Sequence, residues 1–285
     1  MTKIRIKSIA SKDIFVLFSA LNALGYDDEN NKQGMHPVRL KIRKKLLKYD
    51  WNKKYPYLKN VFQKYHQGAL LIDILSKPIK TYKVISKITS KTPRRTIYQS
   101  SIKRFSQEPL IEKLWEEFKN AQLKENKRIL PLFKKHVNGL IKFVNGYPLN
   151  VTKIILIVNP MDAYWRGYGP KIGKLGYVVV GPGADRNDVQ VLHHELLHIL
   201  APRFRILKQI IENIMYKSAI RKSLNRIGYS TKKIISREYI VRALNLLYTK
   251  EILKRNISYL KEKKDFPKID EVIKIVKMKL KKGAA

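Results

Sequence analysis

Five consecutive residues, His194-Glu195-Leu196-Leu197-His198, have the types and the spacing of a metal-binding motif. On a helix, residues four apart lie on one face, so the imidazoles of His194 and His198 can reach a single metal ion. Glu195 lies beside them and is free to take a proton from a water molecule that the metal activates. The motif therefore predicts zinc-dependent hydrolysis, with two histidine ligands and Glu195 as the general base.

The residues around this HExxH motif are typical of an amphipathic helix. Asn187 or Asp188 can cap its beginning, and Pro202 ends it one turn after the motif. An apolar stripe lies on a different face from the two histidines: Val189, Leu192, Leu196, Ile199 and Leu200. His193 lies on the apolar side, where we expect a hydrogen-bonded histidine of the core or of the surroundings of the site. The alternative for the motif is a pair of partly buried histidines without a metal.

A catalytic zinc ion takes three protein ligands and keeps one position open, so a third ligand must be found. The extended pattern HExxHxxGxxH requires glycine and histidine where this sequence has Ala201 and Phe204. No histidine follows His198, and the first aspartate after the motif is Asp265. The remaining candidates are glutamates on predicted helices: Glu212, Glu238 and Glu251.

The predicted helical neighbours separate these glutamates. Glu212 shares its face with charged and polar residues, and Glu251 points away from Glu238. Glu238 has mainly aliphatic neighbours: Ile234, Ile235, Val241 and Ile252. A carboxylate in such surroundings needs a partner, because burying an unpaired charge is costly. We predict Glu238 as the third ligand; an ion pair with Arg242, four residues later, is the alternative and is also compatible with ligation.

The motif and a later helical glutamate together resemble the gluzincin class of zinc metallopeptidases. Other stretches are similar to a group of largely uncharacterised prokaryotic zincin-like proteins: ALNALGYDDEN, NPMDAYWRGYG, VVVGPGADRNDVQVLHHELLHILAP and the glutamate–arginine pair within REYIVRAL. This resemblance covers most of the chain from Asp13 to Leu247. It implies a peptide or protein substrate, zinc bound by His194, His198 and Glu238, and Glu195 as general base. The residue that stabilises the transition state is not assigned; the candidates are Tyr164, Tyr168, Tyr229 and Tyr239.

The charge of the chain is unusual: 60 Lys and Arg residues against 22 Asp and Glu residues give a formal net charge of +38, spread over both halves. Such a surface attracts nucleic acids without sequence preference, although a compositional bias towards lysine is an alternative explanation. Between Ile74 and Gln107 nine cationic residues and several aromatic residues occur without one acidic residue. This basic stretch is the best candidate for a nucleic-acid surface; a solvated basic face is the alternative.

The composition also excludes several classes of site. The absence of cysteine excludes disulfides, cysteine-ligated zinc and cysteine nucleophiles. The apolar run from Ile14 to Phe18 is too short for a signal peptide, and no segment is apolar enough to span a membrane. We therefore expect a cytoplasmic protein without a membrane partner. The acidic loop at 26–37 is either a cation- or substrate-binding loop or a solvated connection.

The sequence predicts an α+β, zincin-like fold that is mostly helical. Its small, partly antiparallel sheet, from Val151 to Val180, is expected beside the HExxH helix. Residues 1–110 are expected to form a helical subdomain and residues 111–285 the metal-binding catalytic domain with its C-terminal helices. The main predicted helices are Lys12–Leu24, Val38–Tyr49, Tyr57–Leu75, Pro109–Gly146 (kinked or divided at Pro131), Phe204–Arg226, Lys232–Arg255 and Ile269–Leu280, and the strands are Val151–Val158 and Tyr177–Val180.

Metallopeptidase activity is the leading functional prediction. Two alternatives remain at this point: a strongly basic nucleic-acid-binding protein, and a zinc-binding scaffold without proteolysis, each with a vestigial HExxH motif. Peptide hydrolysis would distinguish a metallopeptidase from both alternatives, whereas chelator-independent binding of nucleic acid would favour the nucleic-acid-binding protein.

Overall fold

A computed structural model describes residues 4–26, 34–86, 88–89, 92–144, 149–183, 189–201, 231–255 and 260–283. Within these ranges the chain is mostly helical and has one small mixed sheet, which confirms the predicted α+β class. None of the helices in these ranges is both long and apolar enough to cross a membrane. The three acids of the loop at 26–37 and the predicted helix Phe204–Arg226 lie outside the described residues.

Most of the predicted helices that fall on described residues are present, whereas three observed helices were not predicted: Trp51–Lys54, Arg94–Ser106 and Leu260–Asp265. The observed helices are α1 (Lys12–Ala23), α2 (Pro37–Leu46), α3 (Trp51–Lys54), α4 (Pro56–Lys64), α5 (Gln67–Ser76), a 3₁₀ turn (Ile79–Thr81), α6 (Arg94–Ser106), α7 (Pro109–Phe143), α8 (Gln190–Leu200), α9 (Lys232–Leu247), α10 (Leu260–Asp265) and α11 (Ile269–Gly283). A π-helical turn, Tyr248–Ile252, continues α9.

Two helix predictions need correction. The predicted single helix Tyr57–Leu75 is divided into α4 and α5, because the side chain of His66 accepts a hydrogen bond from the backbone N–H of Gly68 at 3.1 Å and caps a new helix. Helix α7, in contrast, is not divided at Pro131. Proline removes one helical hydrogen bond, but the buried side chains of Ile129 and Phe133 anchor the turns on both sides of it.

The sheet consists of five short strands in the order β1-β2-β5-β3, with β4 also paired to β5. Their bounds are β1 (Arg5–Ser8), β2 (Lys153–Val158), β3 (Gly167–Tyr168), β4 (Lys171–Ile172) and β5 (Leu175–Val180). Strand β2 pairs in parallel with β1 and β5, and β3 and β4 are antiparallel to β5. The predicted strands are thus confirmed. The sequence analysis missed β1, because four residues carry too short a pattern and only the pairing with β2 orders them.

Two buried amides of α7 bind the backbone at the carboxyl ends of β1 and β2. Asn126 donates from Nδ2 to the carbonyl of Ile9 and accepts at Oδ1 from the N–H of Val158, both at 2.8 Å. Gln122 donates from Nε2 to the carbonyl of Val158, also at 2.8 Å. Backbone groups at a strand end must find partners when they are buried, and these amides supply them.

The chain divides into two compact units. The first comprises Met1–Phe133 and Thr152–Val191 and includes the sheet, α1 to α6 and the first part of α7. The second comprises Lys134–Val151 and Leu192–Ala285 and includes the HExxH motif and α9 to α11. The functional division into 1–110 and 111–285, and the position of the sheet beside the HExxH helix, stay predictions.

Candidate metal centre

Helix α8 carries the HExxH motif as predicted. The apolar stripe is buried throughout: Val189, Leu192, Leu196, Ile199 and Leu200. The side chains of His194 and His198, one helical turn apart, retain 16% and 23% of their exposure. The amphipathic pattern of the sequence therefore keeps the two imidazoles on a partly exposed face of the helix.

Helix α9 positions the third predicted ligand. It begins after Thr231, whose hydroxyl accepts a hydrogen bond from the N–H of Ile234 at 3.3 Å. The carboxylate of Glu238 is buried, as are Ile235 and Val241. Ile234, one of the aliphatic neighbours predicted for Glu238, does not share this burial, since it is 47% exposed. Ile234 lies in the first turn of α9, and this beginning of the helix is exposed to solvent.

Two helices bring three donor groups to one point. The Nε2 atoms of His194 and His198 are 3.1 Å apart. Oε1 of Glu238 lies 3.1 Å from Nε2 of His194, and Oε2 lies 3.3 Å from Nε2 of His198. Among the described residues, these three form the one group of histidine, cysteine and carboxylate side chains compact enough to hold a metal ion.

The spacing of these donors fits a zinc ion. Zinc binds histidine nitrogen and carboxylate oxygen at about 2.0–2.2 Å in tetrahedral geometry, so its ligand atoms lie about 3.3 Å from one another. The two imidazole nitrogens are 3.1 Å apart, and each lies 3.1 or 3.3 Å from a different oxygen of Glu238, so the spacing is close to that value. Three protein donors leave the fourth tetrahedral position open, which is the pattern of catalytic zinc sites.

The same three side chains are within hydrogen-bonding distance of one another. Burial alone would raise the pKa of Glu238, but hydrogen bonds and positive charge from His194 and His198 outweigh it and hold the pKa well below its usual range. Burial alone would lower the pKa of His194, yet the carboxylates of Glu238 and Glu195 raise it. A metal ion must therefore compete with a proton for the imidazole of His194.

Two arginines of α9 hold the surroundings of the donors. Arg242 donates from Nε to Oε1 of Glu238 at 3.0 Å, and its guanidinium lies 4.1 Å from the centre of the Phe266 ring. Arg237 donates to the backbone carbonyl of His198 at 2.6 Å. The ion pair of Glu238 with Arg242, predicted as an alternative to ligation, thus occurs together with the donor cluster.

Glu195 belongs to the site without belonging to the donor cluster. Its side chain is buried, and burial raises its pKa, while the neighbouring histidines oppose this shift. It is adjacent in sequence to His194 and feels the charges of His194, His198 and Glu238. A buried carboxylate that does not ligate is suited to exchange protons with a reacting group.

His193 is fully buried, and it is hydrogen-bonded as predicted. Its Nε2 lies 2.7 Å from Nδ1 of His136 on α7, and its ring packs edge-on against Tyr248 at a centroid distance of 5.0 Å. Burial lowers the pKa of His193 to about 3 and that of His136 to about 4, so both imidazoles are neutral. The sequence analysis missed His136, because no spacing relates it to a motif 57 residues later.

The remaining candidates are not part of the donor cluster. Glu251 forms an ion pair with Lys277, and Glu212 lies outside the described residues. Tyr239 is fully buried and donates its hydroxyl proton to the carbonyl of Pro267 at 2.7 Å, so this hydroxyl already has a structural role. Tyr164 and Tyr168 belong to the first unit, and Tyr229 is not among the described residues. The transition-state-stabilising residue stays unassigned.

Comparisons with protein-family models, curated proteins and solved structures found no match for this chain. The resemblance to gluzincins and to prokaryotic zincin-like proteins therefore stays an expectation from the sequence. The functional argument depends on the geometry of the site itself.

Proposed function

We propose that this protein is a zinc-dependent metallopeptidase, with a zincin-like fold and a gluzincin-like site, that hydrolyses peptide bonds. The observation that supports this most strongly is the convergence of His194, His198 and Glu238 at separations of 3.1–3.3 Å, with Glu195 next to His194 in the chain. The two nitrogens and one carboxylate match the donor set of hydrolytic zinc sites.

His194 and His198 would hold the ion through Nε2, and Glu238 through its carboxylate. The bound ion supplies Lewis acidity: it polarises a carbonyl oxygen and brings the pKa of a water molecule to about 7. Burial of the Glu238 side chain, which is 5% exposed, favours a tight site, because charge–charge attraction is stronger where water is excluded.

Glu195 is the proton carrier in this proposal. Its carboxylate takes a proton from the attacking water, keeps it at Oε while the carbonyl carbon becomes tetrahedral, and gives it to the departing amine nitrogen. The proton ends on the amine, and the hydroxyl of the water ends on the new carboxyl group. One side chain serves both transfers because the nitrogen leaves from the carbon that the water attacks.

The arginines of α9 keep the donors in place. Arg242 restricts the rotation of the Glu238 carboxylate, and Arg237 ties the backbone of α8 at His198 to α9. Hydrogen bonds of this kind orient metal ligands and raise metal affinity. The two helices that supply all three donors are thus joined at the site by side chains that do not ligate.

Metal analysis and peptide hydrolysis of the purified protein test this proposal. We expect about one zinc ion per chain and cleavage of an unstructured protein such as casein, as the open coordination position implies. Glu195→Gln should keep the metal and lose turnover, whereas His194→Ala should lose both. Glu251→Gln, which changes a glutamate outside the cluster, is the matched control and should keep both.

Two results would contradict the proposal. Protein without a divalent metal, even after dialysis against zinc, would exclude the metal site. Full zinc occupancy without cleavage of any unstructured substrate would identify a zinc-binding scaffold, the alternative that the sequence left open.

A further inference from the structure

The first unit contains a cavity of about 750 Å³ that the proposed peptidase function does not use. It is lined by residues of α4, α5, α6 and the segment before α6. Cavities of about 300–1,000 Å³ are the usual size of small-molecule sites. About half of the lining, from Ile88 to Tyr98, belongs to the basic stretch between Ile74 and Gln107, and the rest comes from α4, α5 and the residues between them.

Positive charge dominates the lining of this cavity. Lys64, Arg94 and Arg95 face a single acid, Asp73. Asp73 is already engaged: it pairs with Arg95 and accepts hydrogen bonds from Tyr82 at 3.1 Å and from Gln99 at 3.2 Å.

The other two cations have no carboxylate partner among the described residues. Within the part of the chain that the structure describes, neither Lys64 nor Arg94 forms a salt bridge with a carboxylate. Arg94 is the first residue of α6, and this helix begins after Pro93 without a side-chain cap. Uncapped N–H groups of a first turn, combined with these two cations, form a favourable environment for a phosphate group.

Aromatic rings accompany these charges. Tyr57 and Tyr65 line the cavity and are 43% and 47% exposed, so their rings are open to stacking. Tyr98 also lines it; this side chain is buried, and its hydroxyl has no hydrogen-bond partner among the described residues. Exposed rings next to cations are the combination with which proteins bind nucleotides without reading sequence.

We propose that this cavity binds a nucleotide, with the base against the ring of Tyr57 or Tyr65 and the phosphate at Lys64, Arg94 and the beginning of α6. The nucleotide is either free or part of a single strand, since both present the same base and phosphate. A buried, apolar wall formed by Leu70, Ile97 and Tyr98 gives the base an environment away from water.

Binding of a short fluorescein-labelled oligothymidine, followed by fluorescence anisotropy at low and moderate salt, tests the site. We expect the double variant Lys64→Ala/Arg94→Ala to weaken binding about tenfold or more, because two phosphate contacts are lost. Lys124→Ala/Lys127→Ala is the matched control: it removes two exposed charges of α7 that do not line the cavity and should change the affinity less than about twofold.

Tyr65→Ala separates stacking from charge, since it leaves the net charge unchanged. We expect this variant to weaken binding about fivefold or more, in proportion to the loss of one base–aromatic stack. All these side chains are exposed, so the variants should keep the thermal unfolding transition of the unchanged protein.

Competition identifies the source of the nucleotide. If AMP or UMP displaces the labelled strand at millimolar concentration or below, the cavity accepts a free nucleotide. If only an unlabelled strand displaces it, the nucleotide is part of a strand. Equal losses in the cavity variant and the α7 control would mean that the net charge alone attracts the strand, and this result, like the absence of any binding, would overturn the proposal.

Discussion

Arg242 and His194 meet at the same carboxylate oxygen. Oε1 of Glu238 accepts a 3.0 Å hydrogen bond from Nε of Arg242 and lies 3.1 Å from Nε2 of His194. The other oxygen, Oε2, lies 3.3 Å from Nε2 of His198. Glu238 is therefore held from three sides, and a change at any of them alters the position of the donor atoms.

Replacement of Arg242 should weaken the metal site without destroying it. We expect Arg242→Ala to lower zinc affinity about 10- to 100-fold, because the carboxylate of Glu238 loses the group that orients it. A competitive chelator titration measures this change. Arg128→Ala, which breaks an exposed arginine–glutamate pair with Glu125 in the first unit, serves as the control and should leave zinc affinity unchanged. Equal affinities of both variants would show that Arg242 does not position Glu238.

Replacement of Glu238 should remove the third ligand. We expect Glu238→Ala to lose zinc in a chelator titration that the unchanged protein survives, and Glu238→Gln to lose it less readily, because an amide oxygen can still approach the ion. Zinc should also raise the thermal unfolding midpoint of the unchanged protein but not that of Glu238→Ala.

Glu251→Ala is the matched control for this variant, since Glu251 pairs with Lys277 outside the donor cluster. Retention of zinc by Glu238→Ala would mean that the third ligand lies elsewhere. Glu212→Ala, measured under the same titration, would then be the next variant to examine.

Gly139 on α7 leaves space for the side chain of Tyr248. A Cβ atom at this position would lie 2.3 Å from the hydroxyl of Tyr248, whose ring packs against His193. Gly→Ala inside a helix normally stabilises by about 1 kcal/mol. Here we expect Gly139→Ala to destabilise by about 1–3 kcal/mol, because Tyr248 is buried and must move.

Chemical denaturation of Gly139→Ala measures this effect, and zinc affinity reports whether the displacement reaches His194. A lower free energy of unfolding for the variant than for the unchanged protein would support the predicted clash with Tyr248. A stabilised variant would show that Tyr248 moves aside without cost.

Asp162 gives the first unit a pH dependence that is separate from the metal centre. Burial raises the pKa of its carboxyl group to about 6, although hydrogen bonds from Tyr26 and from the N–H of Ala163 oppose the shift. In the unfolded chain the group has a pKa of about 3.9. The unfolded state therefore releases the proton first as pH rises, and the native state loses stability relative to it between about pH 4 and pH 6.

Asp162→Asn removes this titration and keeps an oxygen that can accept the same hydrogen bonds. We expect the free energy of unfolding of the unchanged protein, relative to this variant, to fall by about 2 kcal/mol from pH 4 to pH 7. Denaturant titrations at several pH values measure the difference. A difference that does not vary with pH would show that the pKa of Asp162 is the same in the folded and unfolded states.

The sequence by itself determined the features that depend on local spacing. Residues four apart share a helical face, so His194 and His198 were predictable as neighbours, and the apolar stripe of α8 predicted which side would be buried. The β-branched run of β2 predicted a buried strand for the same reason. The net charge and the absence of cysteine are properties of composition and needed no structure.

Only the tertiary structure decided which distant residues meet. Glu238 was selected among three glutamates by helical face and elimination, but its approach to both histidines depends on the packing of α9 against α8, for which no local pattern exists. His136 beside His193, strand β1 beside β2, and the cavity among α4, α5 and α6 were decided in the same way. Contacts between residues far apart in sequence arise from the burial of apolar faces on several elements at once, and the periodicity of a single element contains no information about its partner.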